Sequence, residues 1–294
     1  MSVYWWVREG LDYREGELHL GQQNLAELVK SAGTPAFVYD ASRIATNLER
    51  IHTALDKHEV EHDIFFALKA NRYLPLVTFL KLNGRCGLDV CSPNEMRLGR
   101  QLGFREEQLV YTNTSVSKED IEWLARHPRV HVNVDSLSSL RRLATRCPGR
   151  SLGLRINPQM GVAYHDHLTY SGDKITKFGI YEDRFIEALA LASELGAPIN
   201  ALHFHMGSGY MTPDLDQFDQ VLSRVHQFVE QCPTVNTLDI GGGLGVPMGP
   251  EDEGLDLDQW ATVVARHARE MGVKIQLEPG DYLLKDAGVL LVEI

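Results

Sequence analysis

Ile64-Phe65-Phe66-Ala67-Leu68-Lys69-Ala70-Asn71 is a short apolar run that ends in a primary amine followed by small and polar residues. Its length, its aromatic content and its lack of polar alternation predict a strand buried on both faces, as in a parallel sheet. Such a strand delivers Lys69 to the C-terminal edge of the sheet. Taken alone, a strand-end lysine that snorkels to water is a sufficient explanation. A partly desolvated lysine has a second use: its pKa falls, and the amine becomes a nucleophile able to form a Schiff base with an aldehyde. The rest of the chain decides between the two.

Outward from that strand the pattern repeats. Short β-rich runs end near Lys69, Asp89, Asn113, Asp135, Asn157, Met206, Ile240 and Glu278. Amphipathic helical stretches lie between them at 75–82, 94–102, 118–125, 136–145, 182–195, 215–229 and 257–271, and a helix over 42–55 precedes the first strand. Helix-start signals include Ser117 ahead of Glu119-Asp120, and Asp135 ahead of leucines at 137, 140 and 143. Eight β-to-α steps in roughly 240 residues is the size and rhythm of a (β/α)8 barrel. A doubly wound open sheet is the competing architecture. Two pieces fall outside the rhythm. Residues 1–35 hold a turn-like Arg14-Glu-Gly16, a short alternating run and a helix over 24–31. The run Val289-Leu-Leu-Val-Glu-Ile294 reads as a strand without an evident partner. It pairs with the N-terminal segment or another chain, or the sequence is a fragment, which is the expectation favoured here.

Composition bounds the function. The 294 residues are 44% hydrophobic and 23% charged, ordinary for a soluble globular protein. A formal net charge of -11 argues against nucleic acid or an anionic membrane as partner. Uncharged apolar stretches stay far below the ~20 residues of a membrane span. Residues 1–8 lack a basic stretch followed by an apolar one, so no signal peptide is expected. Cys86, Cys91, Cys147 and Cys232 match neither a zinc pattern nor a dense disulfide framework, which fits free thiols in a cytoplasmic protein. The twelve histidines show no His-Glu-x-x-His spacing, and no metal is expected.

In a barrel the C-terminal strand ends form one face, where active sites sit. The unusual residues of this chain fall there. After Lys69 come Gly87-Leu-Asp-Val-Cys-Ser-Pro-Asn-Glu95 with Asp89 at the rim, Leu154-Arg-Ile-Asn-Pro158 with Arg155, and His203-Phe-His-Met-Gly-Ser-Gly209. Asp239-Ile-Gly-Gly-Gly-Leu-Gly245 and Glu278-Pro-Gly-Asp281 complete the set. The glycine run superficially resembles a dinucleotide fingerprint, but Val246-Pro-Met-Gly-Pro250 intervenes before any helix. As a cradle of backbone N–H groups for a phosphate it fits better, because the loops after strands 7 and 8 commonly serve that purpose. Ser208 adds a hydroxyl. His203 and His205 stand two apart at a strand end; one is expected to pack and the other to face the site. Asp89 and Glu278 as a glycosidase pair fit poorly with a lysine and a phosphate cradle.

These segments, with Thr34-Pro-Ala-Phe-Val-Tyr-Asp40 and Lys177-Phe-Gly-Ile180, occur in an order that resembles the alanine-racemase-fold (fold type III) pyridoxal-phosphate-dependent decarboxylases. The diaminopimelate decarboxylase branch is the most similar, with ornithine decarboxylase related, and the resemblance runs from about residue 17 to 294. It implies a TIM barrel with a second β-domain of which this chain holds only part. Residues 1–35 would associate with that β-domain, 36–284 would form the pyridoxal-phosphate barrel, and 285–294 would begin the C-terminal β-domain. Lys69 would carry pyridoxal 5'-phosphate as a Schiff base and His205 would stack on its ring. Ser208, Gly241, Gly242 and Gly243 would hold the phosphate, and Glu278 would bond the pyridine nitrogen. Asp89 and Arg155 would form the polar shell, with Lys177 in a loop near a homodimer interface that shares active sites. The substrate would be a small amino acid.

A carboxylate at the ring nitrogen keeps that nitrogen protonated and the ring a strong electron sink, which suits loss of carbon dioxide. Racemases of the same fold are similar in outline but place an arginine there, so Glu278 favours a decarboxylase. Two departures stand out. The family's Glu-Pro-Gly-Arg reads Glu-Pro-Gly-Asp here, with Asp281 in the phosphate and substrate region. Losing a charged hydrogen bond of about 1.5–3 kcal/mol weakens binding roughly 10- to 100-fold unless Lys285 compensates. That opens the substrate to a siderophore or polyamine precursor in place of diaminopimelate. The second departure is length: the family's β-domain carries a cysteine and acidic motif not present here, so cofactor binding with slow turnover is expected. A non-catalytic homologue or a barrel that only buffers the cofactor are the alternatives outside catalysis.

Overall fold

The computed structural model describes residues 4–162 and 175–294. The chain starts with a small antiparallel sheet, β1 (Leu11–Arg14), β2 (Glu17–Leu20) and β3 (Gln23–Asn24), and helix α1 (Leu25–Ala32) capped by the Asn24 side chain. Strand β4 (Ala36–Tyr39) and helix α2 (Ala41–Lys57) lead into eight parallel strands: β5 (His62–Ala67), β6 (Gly87–Val90), β7 (Leu109–Thr112), β8 (His131–Val134), β9 (Leu152–Arg155), β10 (Ile199–His203), β11 (Thr237–Asp239) and β12 (Lys274–Leu277). They close into a barrel, with β12 pairing back onto β5 through Ile275–His62 and Leu277–Ile64. The open-sheet alternative is thereby excluded.

The intervening helices are α3 (Leu74–Asn83), α4 (Pro93–Gln101), α5 (Lys118–Ala125), α6 (Leu137–Arg146), α7 (Glu182–Glu194), α8 (Leu215–Glu230) and α9 (Leu257–Met271), followed by the single-turn α10 (Asp281–Leu284). Local chemistry sets their ends. Ser117 and Asp120 cap each other's backbone at α5, Ser136 rather than Asp135 caps α6, and Asp256 caps α9. Gly272, at φ 66°, ends α9 in the left-handed conformation that glycine adopts without strain. The sheet is buried on both sides: Phe66, Leu88, Leu154, Leu202 and Leu238 are inaccessible to solvent and belong to one continuous core. Among the described residues no helix is long and apolar enough to cross a membrane, and all four cysteines are free.

The last strand, β13 (Gly288–Leu291), has a partner. It pairs antiparallel with β4, register Val289–Val38 and Leu291–Ala36. Asp40 N–H donates to Ala287 O at 2.7 Å beside it. A second small core lies here: Leu11, Leu20 and Leu25 pack with Trp6, Leu18, Leu28, Val38, Val289 and Leu291.

Candidate active site

β5 stops at Ala67, whose N–H donates to Pro279 O at 3.1 Å, and the chain turns through one 3-10 turn, Leu68–Ala70. That turn swings Lys69 over the barrel mouth, where its Nζ donates to Asp89 Oδ2 at 2.6 Å. Asp89 lies inside β6, almost fully buried, and not at the rim as its place in the sequence predicts. Burial works against the charge on Lys69, but Asp89 and Glu278 outweigh it, and the pKa of the amine is raised. The lowered pKa expected for a strand-end lysine is therefore not found. Burial and the Glu278 charge push Asp89 up to about 7 in spite of Lys69.

Glu278 is the first residue beyond β12. Its N–H donates to Gly241 O at 2.8 Å, and its buried carboxylate accepts from His203 Nε2 at 3.2 Å. A carboxylate only accepts, so Nε2 carries the proton. Burial opposes the charge on Glu278, but His203 and Lys69 hold its pKa well below the usual carboxylate range. Both histidines thus belong to the site, against the expectation that one merely packs. Residues two apart along a strand share a face, so one packing and one facing is not what a strand imposes; β10 itself ends at His203. Phe204 then turns into the core and His205 continues above it, close to Gly241. Burial, with Lys69 and Arg155, pushes His205 down to about 3, so its ring is neutral. Arg155 ends β9, buried, with its guanidinium 4.6 Å from the Phe178 ring centroid. Lys177 lies exposed next to Phe178.

The glycine loops of β10 and β11 interlock. Gly209 and Tyr210 N–H groups both donate to Gly243 O, at 2.8 and 3.0 Å. A Cβ on Gly242 would stand 2.4 Å from Glu278 O, and one on Gly243, at φ 95°, 2.2 Å from Gly207 O. Only glycine permits this approach. The amides of Gly242 and Gly243 have no partner among the described residues, and half-buried Ser208 stands on the adjacent loop. Unpaired N–H groups converging from such turns form an anion nest. The residues present therefore fit a phosphorylated aldehyde: an amine to attach it, a nest for its phosphate, a flat neutral imidazole and a buried anion.

Asp281 begins α10 and pairs with Lys285 at 2.8 Å. Asp239 has a part that its place in the glycine motif did not reveal. It is buried at the end of β11, and its Oδ1 accepts from Gly241 N–H at 2.8 Å. Burial and Glu278 raise its pKa well above the carboxylate range. His203, Asp239 and Glu278 each bring a polar atom within 4.8 Å of the other two. The signal in the sequence was an acid as the last residue of a short strand.

Fold and site together define a pyridoxal-phosphate-binding barrel domain. The chain belongs to the pyridoxal-dependent decarboxylases: residues 41–285 match the family's pyridoxal binding domain. It is 32% identical over 293 residues to the diaminopimelate decarboxylase of Methanothermobacter thermautotrophicus, covering 95% of this chain and 67% of that protein. To the diaminopimelate decarboxylase of Aquifex aeolicus it is 28% identical over 291 residues, covering 97% and 68%. A crystal structure of AQ1208 from Aquifex aeolicus superposes with TM-score 0.82 at 27% identity, over 96% of this chain and 66% of that one. Diaminopimelate decarboxylase from Helicobacter pylori, solved with L-lysine, shares the fold with TM-score 0.81 at 24% identity, over 91% and 68%. The chain thus spans about two thirds of these relatives.

Proposed function

We propose that this chain is the cofactor-binding barrel of an amino-acid decarboxylase of the diaminopimelate type. One observation carries the proposal: the buried Glu278 carboxylate, bonded by His203 and held ionised beside Lys69. When bound, pyridoxal phosphate supplies a ring that accepts the electron pair left by departing carbon dioxide. Glu278 offers a fixed negative charge to a protonated ring nitrogen, which keeps that sink strong. Lys69 provides the attaching amine, and Asp89 holds a proton at Nζ until the aldehyde arrives. His205 presents a neutral face for stacking, while the Gly242 and Gly243 amides with Ser208 anchor the phosphate. Arg155, buried and always protonated, balances Asp89 and Glu278 so that the mouth carries little net charge.

The substrate proposed is a diamino acid, supported by relatives named diaminopimelate decarboxylase and by one solved with L-lysine. Asp281, already paired to Lys285, leaves no cation of its own for a substrate carboxylate. A siderophore or polyamine precursor is for that reason the second substrate class to assay. The small core of Leu11, Leu20 and Leu25 with Val289 and Leu291 supports a second β-domain built from residues 1–35 and 285–294, next to a barrel over 36–284. A cytoplasmic homodimer with shared sites, Lys177 near its interface, completes the proposal.

The test is reconstitution with pyridoxal phosphate followed by carbon dioxide release, in single and multiple turnover, from meso-diaminopimelate, lysine, ornithine and arginine. Visible absorption of the bound cofactor and release from a diamino acid are expected. Racemisation without carbon dioxide, or no cofactor uptake, would overturn it.

A further inference from the structure

Glu278 belongs to a buried cluster whose other members, His203 and Asp239, have as yet no part toward the cofactor beyond the His203 hydrogen bond. His203 ends β10, Asp239 ends β11 and Glu278 follows β12, three adjacent strands, and all three side chains are almost inaccessible to solvent. Three of their atoms, His203 Nδ1, Asp239 Oδ2 and Glu278 Oε1, have no hydrogen-bond partner among the described residues. Two ionised carboxylates would leave their oxygens without a donor in this way, at a cost of several kcal/mol in a dry interior. One proton held between them satisfies both.

Charge counting gives the same answer. Glu278 is faced by His203 on β10, His205 in the loop beyond it, Asp239 on β11, Lys69 after β5, Asp89 on β6, His131 on β8 and Arg155 on β9. Burial pushes His131 down to about 4 and His205 to about 3, so both are neutral. Burial lowers His203 as well. With the three histidines neutral, Asp89, Asp239 and Glu278 face two cations, Lys69 and Arg155, and Arg155 is shared with Asp135; the carboxylates outnumber the cations, and one of them holds a proton.

Resting on the decarboxylase proposal, we infer that His203 and Asp239 are positioning residues for Glu278: His203 Nε2–H and a proton carried by Asp239 fix its carboxylate from beneath. Asp239 is the carrier because its other oxygen is occupied by Gly241 N–H, and its pKa is raised while that of Glu278 is lowered. The same contact ties the clamp to the phosphate loop, since Gly241 begins the glycine run.

The test uses the holoprotein and the visible pH titration of its bound pyridoxal phosphate. His203→Leu is expected to displace that titration by about one pH unit or more, and His203→Gln, which keeps an N–H donor, to restore it. Asp239→Leu, which has no proton to share, is expected to displace it likewise, and Asp239→Asn, which mimics a protonated carboxyl, to restore it. Equal displacement by Asp239→Asn, or none by His203→Leu, overturns the inference. Should the leucine variants not fold, nitrogen NMR of unmutated, cofactor-free protein decides. A neutral His203 protonated at Nε2 is expected; a charged ring, the opposite tautomer or a stoichiometric divalent metal bound there overturns it. If no cofactor is taken up while the NMR result holds, the decarboxylase proposal fails and the proton clamp stands.

Discussion

Lys69 Nζ reaches Asp89 Oδ2 at 2.6 Å across neighbouring strands, joining a side chain that is 47% exposed to one that is 2% exposed. On the proposed function this ion pair is a resting state. Lys69 must lose a proton to attack an aldehyde, and Asp89 and Glu278 hold that proton on. Removing the Asp89 charge lowers the lysine pKa, so Asp89→Asn moves the pH profile of pyridoxal phosphate uptake to lower pH. Each pH unit of displacement is about tenfold in the reactive fraction. Stopped-flow absorbance reads it; an unmoved profile would show that Asp89 does not control the amine.

Lys69→Ala removes the amine outright. Borohydride treatment of the variant with cofactor is expected to give no covalent mass increase, whereas the unmutated protein gains one adduct per chain. A stoichiometric adduct on the variant would assign attachment to another lysine.

Gly243→Ala would place a Cβ 2.2 Å from Gly207 O at a φ of 95°. Both loops must shift, at about 1 kcal/mol or more. Phosphate and pyridoxal phosphate affinity is expected to fall at least tenfold while far-UV circular dichroism is retained. Unchanged affinity would place the phosphate elsewhere.

Asp239 has a folded-state pKa above its ordinary value. An acid raised in this way favours folding most below the ordinary carboxylate range and loses that contribution as pH rises toward the folded pKa. Asp239→Asn, which never ionises, is thus more stable than the unmutated protein at neutral pH, with the gain vanishing as pH falls to the carboxylate range. Urea unfolding at the two pH values measures this, and equal destabilisation at both contradicts it.

Asp256→Ala removes the side chain that accepts from Asp258 and Gln259 N–H groups at the start of α9. A loss of about 1 kcal/mol is expected, with cofactor affinity unchanged because the hydrogen bonds the side chain makes are all to the first turn of α9. Denaturant midpoints and cofactor titration check both parts.

Much of the barrel was legible because its signals are local. Helices α5 and α9 span the stretches 118–125 and 257–271 expected of them, and the caps Ser117, Asp120, Asp256 and Gly272 each act on neighbours within their own turn. Strand β10 ends three residues before its expected end at Met206. Phe204 and Met206 are buried as a continuing strand would bury them, but Ile156 N–H bonds His203 O at the last ladder position. The chemistry of the site was less legible for a related reason. The pKa of Lys69 is set by Asp89 and Glu278 on the two flanking strands, and the use of His203 depends on Glu278 far along the chain. No periodicity or spacing in a single segment carries such cross-strand electrostatics.

The seam between β12 and β5 is where the first and last barrel strands must find each other. Lys69 stands just past one side of it and Glu278 just past the other, with the Ala67-to-Pro279 hydrogen bond between their neighbours. A ligand gripped from both sides acts as a latch on the closure of the cylinder. At one hundred times its Kd such a ligand adds about 2.7 kcal/mol to stability. Amide exchange along β5 and β12 would consequently slow on cofactor loading, making occupancy of the site a gauge of whether the cylinder is shut.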